Sequence, residues 1–128
     1  MFEERPFLGT IDQRLEGDRV TVTVTLGWSE AMYEGRAEGQ SDTAQRARLV
    51  GEATLAAIES LTAGTAKFDL TAAGMSDLGP VKIALVQVRE TGWSDYLIGS
   101  CLIREGDPAA ATAKAVLDAV NRRISRVI

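Results

Sequence analysis

A tetrapeptide occurs twice in this chain, as Gly27-Trp28-Ser29-Glu30 and Gly92-Trp93-Ser94-Asp95, and the two copies hold both tryptophans. Each follows an alternating apolar run and precedes a second apolar stretch interrupted by a glycine, Gly35 or Gly99. Each is then followed, after a polar break, by an Ala-rich amphipathic segment. Such a chain reads as a duplication. One small sheet with one helix buries little by itself, so the two copies are expected to share a core. Two copies at a period of roughly 60 residues do not make a solenoid.

The local patterns define each copy. Phe7 to Leu15 reads as a first strand with imperfect alternation: Phe7, Gly9, Ile11 and Gln13 on one face, Leu8, Thr10 and Asp12 on the other. Glu16-Gly17-Asp18 is a turn signal. Arg19 to Trp28 is the clearest strand, because Val20, Val22, Val24 and Leu26 alternate strictly with Thr21, Thr23 and Thr25. That period of two predicts one buried face and one Thr face. Ala31 to Gly39 returns as a third strand whose face of Met32, Glu34, Arg36 and Glu38 looks outward. Asp42 then caps a helix, with Gln45 at capping-box spacing. Its apolar stripe is Ala47, Val50, Thr54, Ala57, Ile58 and Leu61, and Gly64 stops it.

The second copy repeats the order. Lys67 to Gly74 reads as a strand, with Phe68, Leu70 and Ala72 opposing Asp69, Thr71 and Ala73; Met75 to Pro80 reads as a loop. Val81 to Glu90 is apolar on both faces, and Tyr96 to Arg104 returns. Asp107-Pro108 combines an N-cap with proline at the first helical position. The stripe of this helix is Ala113, Val116, Leu117, Val120, Ile124 and Val127. The expected fold is therefore α+β: one compact domain of two tandem βββα repeats, 7–63 and 67–127, each an antiparallel sheet with one helix packed on a face.

Composition narrows the function. A formal charge of −4 argues against a nucleic-acid partner, since phosphate binding needs clustered cations. Arg122, Arg123 and Arg126 are the one basic concentration; in the last turns of a helix they complement its dipole, the alternative being a phosphate site. No apolar run approaches the roughly 18 residues of a membrane span. Met1 to Pro6 has no basic and apolar signal-peptide pattern, so a cytoplasmic location is expected. The chain has no histidine and one cysteine, Cys101, which removes the commonest general base, the histidine-activated nucleophiles and the usual zinc cages. Neither phosphate-cradling glycine motif occurs. The sequence implies no cofactor, and a non-enzymatic role is expected.

The element order resembles the C-terminal regulatory and dimerisation domain of 2-isopropylmalate synthase and citramalate synthase. Gly39-Gln40-Ser41-Asp42-Thr43-Ala44 is similar to that family's Gly-x-x-Asp-Ala opening of the first helix. Ala115-Val116-Leu117-Asp118-Ala119-Val120-Asn121-Arg122 is similar to the end of its second. The family's usual Gly-Pro before the first helix is absent. In that family the domain is attached to a catalytic barrel and binds a feedback amino acid where two regulatory units meet; the resemblance implies a free-standing form of it, binding an amino acid or related metabolite between repeats or subunits. The alternative is an assembly protein that forms a homo-oligomer without a small-molecule site.

Candidate residues follow. Trp28 and Trp93 could wall a pocket or anchor an interface, or could pin their turns onto the core. Gly35 and Gly99 mark a bulge or a close backbone approach, to a ligand or to the helix of the same unit. The two-sided run Val81, Ile83, Leu85, Val86 and Val88 is the candidate homodimer interface, because apolar surface left uncovered marks a partner site. Any pocket is expected between the repeats, near the tryptophan turns.

Overall fold

A computed structural model describes residues 5–128. Met1 to Glu4, part of the stretch read for a signal peptide, lie outside the described residues. The chain runs β1 (Phe7–Glu16), β2 (Arg19–Trp28), β3 (Ala31–Gln40), α1 (Thr43–Leu61), β4 (Phe68–Leu78), β5 (Val81–Glu90), β6 (Tyr96–Leu102) and α2 (Pro108–Ile124). β1-β2-β3 form one antiparallel three-stranded sheet and β4-β5-β6 a second. The fold is thus one α+β domain of two tandem βββα units, each sheet carrying its helix.

Strict alternation in β2 does what it predicts. Val20, Val22, Val24 and Leu26 are fully buried, and the threonines between them lie on the other face. α1 packs across β2 and β3 and reaches β4 of the second unit; α2 packs across β5 and β6 and reaches β1 of the first. The helices also touch each other. Each helix is therefore covered by its own sheet and by an edge strand of its twin. Val50, Ile58, Val116 and Val120 sit fully buried in this shared core.

The helix starts match the caps read from sequence. Asp42 Oδ1 accepts from the Ala44 amide at 3.0 Å, and Asp107 Oδ1 from the Ala110 amide at 3.1 Å. The α1 stripe is wider than predicted, adding Leu49, Gly51, Ala53 and Leu55, because the helix is covered from two sides. Thr54 is buried with its hydroxyl donating to the Val50 carbonyl at 2.7 Å, so no polar group is left unpaired there. Gly51 marks a close approach of α1 to Leu70 of the second unit's β4.

Four local expectations are corrected. The alternation of β1 changes phase at a bulge between Leu8 and Thr10, so Leu8 and Ile11 both reach the core. An equivalent bulge between Leu70 and Thr71-Ala72 puts Ala73, not Ala72, on the inner face of β4. One extra residue flips every following side chain to the other face, which is why the period looked poor. Met75 to Leu78 is strand, not loop: β4 runs to a two-residue turn at Gly79-Pro80, where glycine at φ +59° before proline gives a tight hairpin. Lastly, Val127 lies beyond the end of α2 and is exposed.

Candidate functional site

The internal correspondence of the two units decides what is site and what is scaffold. A Cβ built on Gly35 would collide with the Ala53 carbonyl oxygen and the Ala57 nitrogen of α1. One built on Gly99 would collide with the Ala115 oxygen and the Ala119 nitrogen of α2. Ala53 and Ala115, like Ala57 and Ala119, stand 62 residues apart, as do the two bulges and the ends of β2 and β5. Both glycines are buried and their open face is filled by helix backbone. The close approach at each is helix to strand, which leaves no room for a ligand on that face.

That correspondence also separates the tryptophans. Trp28 is the last residue of β2, pairs with Ala31 and packs against the core. Its turn is two residues long, Ser29 and Glu30, both at positive φ. The second hairpin instead leaves β5 at Glu90 and enters β6 at Tyr96, so Trp93 stands in a five-residue loop. By position in the strand, the counterpart of Trp28 is Glu90. The repeated tetrapeptide is thus not structurally repeated: one copy continues a strand and the other begins past its end.

Trp93 is 53% exposed, and the Arg123 guanidinium lies over its ring at 4.4 Å from the centroid. Arg123 also pairs with Glu90 at 3.5 Å, both side chains being about one-fifth exposed. Beside this stack lies an open cleft of about 620 Å³. Trp93, Tyr96 and Ile98 line its strand side; Asp118, Arg122, Arg123 and Arg126 line its helix side. Asp118 Oδ2 accepts from the Ser100 amide at 3.0 Å, tying the edge strand β6 to α2. Arg122 and Arg126 have no ion-pair partner among the described residues. The cleft lies within the second unit and not between the repeats.

β5 divides the predicted interface residues between its faces. Val86 and Val88 are buried, facing inward with Ala84, and they drop out of the interface set because α2 already packs across this strand. Val81, Ile83 and Leu85 face the other way. Cross-strand pairing places Leu102, Ile98 and Tyr96 of β6 and Leu78 of β4 on that same outer face. Leu78 is 67% exposed, Ile98 60% and Leu85 38%. Sequence reasoning missed the β6 contribution, although the alternation of Tyr96, Ile98 and Ser100 with Leu97 and Gly99 carried it.

Among the described residues no three cysteine or carboxylate groups gather to hold a metal ion, and no helix is long and apolar enough to cross a membrane. No family model and no curated protein matches this chain.

Proposed function

We propose that this chain is a non-enzymatic regulatory or dimerisation module of the cytoplasm, assembled as a homodimer through the outer face of its second sheet. One observation carries the reading. Leu78, Val81, Ile83, Leu85, Ile98 and Leu102 form an apolar sheet face that none of the described elements covers. The first sheet, folded the same way, presents Thr21, Thr23, Thr25, Glu34, Arg36 and Glu38 across its middle, with Phe7 and Met32 confined to one end. From strand spacing and rise, strands of 11, 10 and 7 residues offer about 450 Å² of flat sheet, so a pair of copies covers about 900 Å² before side-chain relief. That approaches the size at which specific interfaces begin. An isologous pairing also needs only this one patch.

The test is light scattering across a concentration series. The parent chain is expected as a dimer, and Leu85→Glu as a folded monomer. Thr23→Glu, at the matching position of the first sheet, is expected to remain a dimer. A monomeric parent at high concentration would end the proposal.

A second reading, small-molecule sensing, is favoured by the Trp93 cleft, which combines exposed aromatic surface with cations left unpaired. The element order shared with the regulatory domains named above supports it. Stabilisation of the folded chain by a bound metabolite would appear as a raised melting temperature.

A further inference from the structure

The two units differ most sharply where α2 meets the second hairpin. At the 62-residue spacing, Arg122, Arg123 and Arg126 correspond to Ser60, Leu61 and Gly64, and Asp118 to Ala56. The first unit folds with none of these charges. The fold therefore does not require them. A favourable helix-dipole interaction explains cations at the end of α2, yet α1 ends without any basic residue in its last turn. The pair of positions filled by Trp28 and Leu61 in the first unit holds the Glu90–Arg123 ion pair in the second. With this exchange, the ring of Trp93 sits in a loop over Arg123, in the lining of the cleft.

Within the cleft the charges do not cancel. Glu90 balances Arg123, and Asp118 is held by the Ser100 amide. Arg122 and Arg126 stand exposed and unpaired among the described residues, in a protein whose net charge is −4. Guanidinium groups bind carboxylate and phosphate oxygens through paired N–H donors. Trp93, Tyr96 and Ile98 add apolar and aromatic surface on the facing wall. We infer that the cleft binds an organic anion with an apolar body: its acid group against Arg122 and Arg126, its body against Trp93, Tyr96 and Ile98. The inference rests on the sensing reading of this cleft, whose Tyr96 and Ile98 also lie on the sheet face assigned to the dimer.

Trp28→Phe leaves Trp93 as the sole tryptophan, so its emission reports the cleft directly. The full chain carrying this substitution is titrated with 4-phenylbutyrate, phenyl phosphate, the neutral 4-phenylbutanol, inorganic phosphate and leucine. The two acids are expected to change the emission saturably, and the stronger of them identifies the acid group as carboxylate or phosphate. The alcohol and inorganic phosphate are expected to bind at least tenfold more weakly. Adding Arg122→Gln and Arg126→Gln is expected to weaken the acids at least tenfold, and their binding should fall with added salt. Both arginines are exposed and unpaired, so circular dichroism should find this variant folded; if it does not, Arg126→Gln alone serves. If leucine binds and the acids do not, the anion assignment fails and the sensing reading survives. Silence with every probe ends both. Equal binding of the alcohol and its acid, or of phosphate and its phenyl ester, overturns the assignment, as does indifference to the arginine substitutions.

Discussion

The two sheets of this domain share strand order, register, bulge and helix, yet their outer faces differ, the first mostly polar and the second mostly apolar. Position by position, Arg19, Thr21 and Thr23 of β2 correspond to Val81, Ile83 and Leu85 of β5. Glu34 and Glu38 of β3 correspond to Ile98 and Leu102 of β6. Inner faces are constrained by packing, because the interior is filled to crystal-like density and tolerates little change. Outer faces are free of that constraint. What the copies share is therefore scaffold, and what they do not share is where a function can be recorded. The same holds at the hairpins, where Trp28 joins the core and Trp93 does not.

The equivalence can be broken most forcefully at the glycines. Gly35→Ala and Gly99→Ala each place a methyl group inside helix backbone, so each is expected to destabilise by roughly 3 kcal/mol or more by urea denaturation. Gly74→Ala, where an added Cβ meets nothing within 4 Å, should be near neutral. Unequal losses at Gly35 and Gly99 would mean that the helices are not seated alike.

The hairpins should respond in opposite directions. Ser29 and Glu30 both occupy the left-handed region, at φ 52° and 63°, without the help of glycine. Glu30→Gly is expected to stabilise by about 1 kcal/mol, while Gly92→Ala, at φ +90°, should destabilise by about the same amount. Thermal unfolding followed by circular dichroism separates the two signs; a destabilising Glu30→Gly would show that the first turn is not strained.

The smallest effect belongs to the ion pair that replaces Trp28 and Leu61. Glu90→Gln is expected to cost about 1 kcal/mol or less, since the pair remains partly solvated. A double-mutant cycle with Arg123→Gln measures the coupling, and a coupling of zero would leave Arg123 held by Trp93 alone.

The duplication, the order of elements, both N-caps and the buried face of β2 were legible because each is local. A period of two, a capping residue and a Pro at a first helical position act over a few residues of chain. The phase of β1 and β4 was not legible, since a bulge leaves no fixed residue signature: Gly9 and Thr71 occupy equivalent places. Nor was the division of β5. Val86 and Leu85 are equally apolar, and only the helix packed across one face tells core from surface.

The repeated Gly-Trp-Ser motif sets the limit between the two kinds of information. By itself the sequence determined that the chain holds two βββα units, because hydrophobic period and turn chemistry repeat with it. It also identified Trp28 and Trp93 as counterparts, and the tertiary structure decided otherwise. The second hairpin holds three more loop residues than the first, so the same four residues end a strand in one unit and hang beyond it in the other. Strand register is fixed by pairing and by packing against a helix far along the chain, and no short motif carries that information.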